Sequence, residues 1–207
     1  MSRPADSPPA IALLAAGGSR RLGRPKQLLT LGGTTLVRHF ARLALQLPAA
    51  RRLIVIGGGG DEVAHELRDL DLEIIANPDW SSGMGSSVRR LVEALGDHPG
   101  PCLFTTIDQP ALDLQHLQRL LAAARGHPDK DIASGYHGLA GVPAVLRRPT
   151  WLQGRNLDGD TGLRRLLRGP DVGLQVLPAP QLALDVDTPE NLHQAIRHGW
   201  LDPLPES

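Results

Sequence analysis

The run Leu14-Ala15-Ala16-Gly17-Gly18-Ser19-Arg20-Arg21-Leu22-Gly23-Arg24-Pro25-Lys26 concentrates residues suited to one kind of chemistry, the holding of an anion. Small residues and glycines let backbone N–H groups turn toward a phosphate without side-chain obstruction, forming a nest. Arg20, Arg21 and Arg24 add charge, and Lys26 adds a mobile point charge suited to phosphate oxygens. Of the 22 basic residues only Lys26 and Lys130 are lysine. A lysine in a chain that otherwise uses arginine points to a position that rejects a guanidinium. The plainer reading of the run is a basic surface turn whose glycines serve geometry alone.

Two carboxylates complete the set. Asp108, in Ile107-Asp108-Gln109-Pro110, and Asp187, in Asp185-Val186-Asp187-Thr188-Pro189, both fall at the edges of structured segments. Taken singly, each reads as a turn former or a helix-entry residue. Taken with the basic nest, they suit a nucleoside triphosphate and its Mg²⁺, a hard cation that prefers oxygen ligands. The second glycine run, Gly57 to Gly60, fails the dinucleotide fingerprint because Glu62 stands where a glycine is needed. No Gly-Lys-Ser/Thr follows it either, so it reads as a flexible turn. The eight histidines show no metal-ligand spacing, and Cys102 reads as a small core residue. No Gly-x-Ser-x-Gly elbow anchors a hydrolase triad. Arg89-Arg90 and Arg164-Arg165 read as solvated helix faces, with contact to an acceptor phosphate as the alternative.

These residues need elements to position them, and hydrophobic periodicity supplies those. Short apolar runs at Ala10–Ala16, Leu53–Ile56, Leu72–Ala76 and Cys102–Ile107 read as strands, the first of them buried. Between them lie helical patterns: one capped by Thr34 or Thr35 and ending before Pro48, one over Asp61–Leu70, and one burying Val88, Leu91, Val92 and Leu95. A fourth helix starts near Asp113. Further strands are expected near Asp131–Ser134, Val142–Leu146 and Leu174–Leu177, with a helix over Thr161–Leu167 and a last one from Thr188 to Gly199. Alternating strands and helices predict an α/β, Rossmann-like three-layer sandwich with a mostly parallel sheet and helices on both faces. The ligand site of such a sheet lies beyond the carboxyl ends of its strands, where the nest and Asp108 fall.

Composition bounds the rest. At 207 residues the chain reads as one domain over residues 10–200, with a flexible N-terminal tail at 1–9 and a C-terminal tail at 201–207. It carries 22 acidic residues against its 22 basic ones, which argues against a nucleic-acid or anionic-membrane partner. Aromatics, at 3%, are too few for a base-stacking platform. One cysteine, no apolar run near the roughly 20 residues of a membrane span, and no secretory signal in Met1–Pro9 predict a cytoplasmic protein.

The first loop resembles the signature of the nucleotidyltransferases related to the molybdenum cofactor enzymes. It matches at Leu14, Ala15, Ala16, Gly17, Ser19, Arg21, Leu22, Gly23, Pro25 and Lys26. Asn77-Pro78-Asp79-Trp80-Ser81-Ser82-Gly83-Met84 with Ser86-Ser87 is similar to the family's second motif. Asp108-Gln109-Pro110 resembles its metal motif, Gly159-Asp160-Thr161-Gly162 a later block, and Asp185 to Glu190 its closing motif. Within the family the chain most resembles the cytidylyltransferases acting on molybdopterin, although Gly141-Val142-Pro143 stands where they usually carry Gly-His-Pro.

That resemblance implies a fold of the nucleotide-diphospho-sugar transferase type and CMP transfer from CTP to a phosphorylated acceptor, most simply molybdopterin. Sugar or isoprenoid phosphates, or GTP as donor, are the alternatives, and a noncatalytic nucleotide-binding regulator is the alternative of another class. By the resemblance, Ala15, Ala16, Gly17, Gly18, Ser19, Arg20 and Gly23 hold the triphosphate with Arg21 beside it. Lys26 neutralises the transition state, Asp108 and Asp187 hold Mg²⁺, and Gly83 and Ser87 meet the base. A molybdoenzyme or its chaperone is the implied protein partner. The Ala16 methyl is expected to favour a pyrimidine over a purine.

Overall fold

The computed structural model describes residues 7–168 and 173–205. Residues 1–6 of the N-terminal tail and 206–207 of the C-terminal tail lie outside the described residues.

The first apolar run forms β1 (Ala10–Ala15), buried along its whole length. A two-residue hairpin, β2 (Thr30–Leu31) and β3 (Thr34–Thr35), then leads into α1 (Leu36–Leu45). Gly32 and Gly33 make the hairpin turn with φ of 58° and 71°, a region open chiefly to glycine. Thr35 occupies the cap position of α1 but makes no capping bond; its hydroxyl donates to Glu66 instead. Next come β4 (Arg51–Ile56), α2 (Gly60–Leu67), β5 (Glu73–Ala76), α3 (Met84–Leu95) and β6 (Cys102–Thr106). The second half holds α4 (Leu114–Gly126), β7 (Asp131–Tyr136), β8 (Leu139–Leu146), the short α5 (Arg148–Leu152), β9 (Leu174–Pro178) and α6 (Pro189–Arg197). Asp113 and Thr188 cap α4 and α6, accepting from the backbone N–H of His116 and Asn191. The expected helix at Thr161–Leu167 is a 3-10 helix at Leu163–Arg168.

The seven long strands form one sheet in the order β5-β4-β1-β6-β8-β7-β9. Only β8 runs against its neighbours, pairing antiparallel with β6 and β7. Alternation along β1 explains why both faces are covered. Ile11, Leu13 and Ala15 join a core with residues of α1, α2, α4 and α6. Ala10, Ala12 and Leu14 join a second core with α3, Trp151 of α5 and the 3-10 helix. β1 is apolar on both sides because each side is a core, whereas the edge strands β5 and β9 are largely half-buried or exposed. The fold is therefore the expected three-layer α/β sandwich.

Packing continues past residue 200. Leu201 is buried, the backbone N–H of Asp202 donates to Thr30, and its carboxylate accepts from Gly32 and Gly33. Asp202 thus anchors the two N–H groups of the β2–β3 turn.

Candidate active site

The loop after β1 is shaped by its own hydrogen bonds. Leu22 and Gly23 both donate from their backbone to the Ser19 carbonyl, with Ser19 at φ 49° and Gly23 at φ 75°. Ser19 Oγ accepts the Lys26 backbone N–H at 3.0 Å, closing the loop. Gln27, 1% exposed, reaches under it and donates to the carbonyls of Ala15 (2.8 Å) and Gly17 (2.7 Å). Those bonds occupy the two carbonyls and fix the loop from beneath.

The loop forms one wall of a cavity of about 560 Å³. Ala15, Ala16, Gly17, Gly18, Ser19, Arg20, Arg21 and Lys26 all line it, as do Gly83, Ser87, Asp108 and Asp187. Gly23 does not. Its left-handed backbone and its bond to Ser19 make it a turn former of the loop.

Lys26 is the centre of the charged cluster. Its Nζ donates to Asp108 Oδ2 at 3.4 Å and, more closely, to Asp187 Oδ1. Burial of the ammonium works against its charge, but the two carboxylates more than offset this, and its pKa stands above the usual lysine value. Lys26 is therefore a fixed cation. Arg21, largely exposed, pairs with the other oxygen of Asp187 at 3.0 Å. The Val186 N–H donates to the Asp108 carbonyl at 2.8 Å, which ties the two carboxylate-bearing segments together although 79 positions separate Asp187 from Asp108. Nearby, Asp185 is pushed up to about 6 by burial and by the charge of Asp108.

The second motif folds over the cavity. The Asn77 side chain donates to the hydroxyls of Ser86 and Ser87, and Ser86 in turn donates to the carbonyls of Asp79 and Gly83. Gly83, at φ 111°, packs so closely that a Cβ there would meet the Gly159 carbonyl at 2.4 Å. The Gly85 N–H donates to that same carbonyl, so the second motif and the Gly159-Asp160-Thr161-Gly162 block dock backbone against backbone. Arg89 clamps the block by donating to the Leu157 carbonyl and the Asp158 carboxylate; it is not a solvated helix face.

Trp80 and Gln27 were not singled out by sequence reasoning. A Cβ on Gly18 would come within 2.2 Å of the Trp80 ring, and one on Gly57 within 2.6 Å of its Cβ. The Gly58 N–H donates to the Ala16 carbonyl, and the Arg20 guanidinium lies 5.7 Å over the indole. Gly57 and Gly58 are thus a tightly packed seat, not a flexible turn. The available signal was that Trp80 is one of three tryptophans in an aromatic-poor chain.

Residues 11–176 match the MobA-like NTP transferase domain. The chain belongs to that family. It is accordingly a MobA-like nucleotidyltransferase. Among similar proteins, nicotine blue oxidoreductase of Paenarthrobacter nicotinovorans is 33% identical over 89% of this chain and 94% of its own. Molybdenum cofactor cytidylyltransferase of Escherichia coli K12 is 29% identical over 86% and 91%. The crystal structure of the Mycobacterium sp. strain JC1 homologue of Mycobacterium tuberculosis Rv0371c superposes with a TM-score of 0.79 at 29% identity, covering 96% of this chain and 98% of that one. The M. tuberculosis protein itself, solved as a manganese complex, shares the fold with a TM-score of 0.77 at 21% identity over 92% of this chain and 99% of that one. No helix among the described residues is long and apolar enough to cross a membrane.

Proposed function

We propose that this MobA-like enzyme transfers CMP from CTP to a phosphorylated acceptor, molybdopterin, and releases pyrophosphate, using residues 10–200 as one catalytic domain in the cytoplasm. The observation that carries the reading is the Lys26 ammonium seated between Asp108 and Asp187 at the edge of a main-chain nest. A cationic group between two carboxylates marks a place built for positive charge next to phosphate.

The two carboxylates suit Mg²⁺, which takes one or two of them and fills its remaining positions with water and substrate phosphates. Among the described residues no cluster of three or more His, Cys, Asp or Glu competes as a metal site. When bound there, the ion would neutralise phosphate oxygens. The nest from Ala16 to Ser19 holds the triphosphate, and Arg21 and Lys26 offset charge as it develops. An acceptor phosphate oxygen forms a bond to the α-phosphorus. The bond from that phosphorus to the α–β bridging oxygen breaks, and its electron pair leaves with pyrophosphate. The attacking oxygen is already anionic, so the residues act by alignment and electrostatics rather than as a base.

Selection of CTP rests on Ala16, buried with its methyl at the cavity wall, and on Ser87. The Ser87 hydroxyl accepts from Asn77 and keeps its own proton to donate to a base. Two sources support the acceptor: the likeness to the E. coli cytidylyltransferase and the motif resemblance. A molybdoenzyme or its chaperone is the protein expected to receive the product. Mass spectrometry of products from each nucleoside triphosphate with molybdopterin tests the reading. A cytidylylated molybdopterin is expected; guanylylated product in equal or greater amount, or product only with a sugar or isoprenoid phosphate, would overturn it.

A further inference from the structure

A separate cavity, of about 350 Å³, lies at the opposite end of the sheet from the nest. Pro99, Gly100 and Pro101 precede β6, and Lys130 precedes β7. Arg147, Arg148 and Pro149 follow β8, whose antiparallel course brings its carboxyl end there. We propose that this cavity is a second ligand site, that it takes a small aromatic carboxylate, and that the rings lie between its prolines with the carboxylate on Lys130 and Arg147. The proposal does not depend on the nucleotidyl-transfer reading above.

The charge here is one-sided. Among the described residues no carboxylate lines this cavity, whereas Asp108, Asp160 and Asp187 line the one at the nest. Arg147 uses its backbone N–H and its Nε on the buried Asp131 carboxylate, which also accepts from Thr150. Its two terminal nitrogens have no partner among the described residues, and their fork matches the two oxygens of a planar carboxylate. Lys130 is one of only two lysines in the chain, and unlike Lys26 it forms no ion pair among the described residues. Its compact ammonium adds a point charge beside that fork. Arg148 is engaged elsewhere: its Nε donates to the His98 carbonyl, and its guanidinium lies 5.7 Å over the Trp151 ring.

The walls fit a flat apolar body. Pro99, Pro101, Pro128 and Pro149 have no N–H to leave unpaired, and their locked φ holds them in place. Ala124 of α4 and Val145 of β8 complete the apolar lining. The backbone behind them is fixed. The Trp151 indole N–H donates to the Gly100 carbonyl at 3.2 Å, and the Pro101 carbonyl accepts from the Ala10 N–H at 2.9 Å. A Cβ on Gly100 would meet the Pro8 carbonyl at 2.8 Å, so this turn has no room to shift toward the chain's start. A site preformed in this way loses little freedom when a ligand enters. A carboxylate without rings would leave the proline walls in water; an aromatic body buries them.

Titration of the ¹⁵N-labelled full chain, followed by NMR at the Gly100 amide and the Trp151 indole N–H, tests this with 2-naphthoate, its neutral isostere 2-naphthamide, and acetate. Naphthoate is expected to shift both signals saturably and to bind at least about tenfold more tightly than naphthamide, the scale of one charge-assisted bond. It should bind at least about 10²-fold more tightly than acetate, which has no rings to bury. Lys130→Gln should weaken naphthoate about tenfold and leave naphthamide unchanged. Ala124→Leu, which fills the cavity from α4, should abolish the saturable shifts with an unchanged circular dichroism spectrum; if it disturbs the helix, Lys130→Gln still decides. Equal binding of naphthoate and naphthamide, acetate binding as tightly as naphthoate, unchanged naphthoate binding in Lys130→Gln, or saturable shifts confined to the nest would each overturn the proposal.

Discussion

The two halves of the sheet line their cavities by different means. On the β1 side the wall is largely main chain: small residues, with a hidden glutamine beneath them and glycines packed against one tryptophan. On the β8 side, around the antiparallel strand and the 3-10 helix, side chains line a second cavity of about 660 Å³: arginines, a tyrosine and a valine. Main-chain recognition reads a feature that every nucleotide shares, and it tolerates little change because its geometry depends on absent Cβ atoms. Side-chain recognition can be rewritten one residue at a time without disturbing the sheet.

The comparison is tested most severely at Lys26, the one buried side-chain cation in the main-chain half. Lys26→Ala should lower turnover by about 10²–10³-fold, the scale of losing one preorganised charge donor, with an unchanged circular dichroism spectrum. Normal turnover would mean the nest acts through backbone alone. Next comes Gly18→Ala, whose methyl would strike the Trp80 ring. Displacing the loop should reduce kcat/KM for the nucleotide by about 10²-fold, as misplacements near 1 Å do. Adding Trp80→Ala should recover part of that loss, a coupling that a double-mutant cycle measures.

Asp108→Asn and Asp187→Asn should each shift the Mg²⁺ titration of activity to higher concentration, on the order of 10–100-fold, the range seen when metal ligation is weakened. Superimposable curves would remove the two-carboxylate site. The smallest effect belongs to Ala16→Gly. Removing that methyl should raise the share of GTP product in a CTP–GTP competition by about tenfold, the low end of discrimination by one methylene-sized group. An unchanged ratio would show that Ala16 only packs under the loop.

The same division governs what the sequence revealed. β1, β4 and β6 were legible because strands covered on both faces are continuous apolar runs bounded by glycine or proline. The nest was legible because its residues are contiguous. The direction of β8 was not, since an apolar run such as Val142–Leu146 reads alike whether parallel or antiparallel. Leu163, Leu166 and Leu167 gave a helical period, which left the intervening arginines looking solvated; the 3-10 turn brings them to a cavity instead. Arg89 looked solvated for the same reason, yet it grips the Leu157 carbonyl 68 residues away. The importance of Trp80 arises where positions 18, 57 and 80 meet, and local periodicity carries no trace of that.

Gln27 has a consequence for the thermodynamics of ligand capture. Because its amide already occupies the Ala15 and Gly17 carbonyls, the loop's conformational entropy is lost when the chain folds, before any nucleotide arrives. Triphosphate binding then orders little new backbone. Its enthalpy should come from charge and hydrogen bonding, with a heat-capacity change too small to signal coupled folding. The amides of this loop are protected or exposed by geometry fixed in the free protein. An enzyme built this way meets its nucleotide as a rigid receptor, and any slow conformational step in its cycle must arise elsewhere.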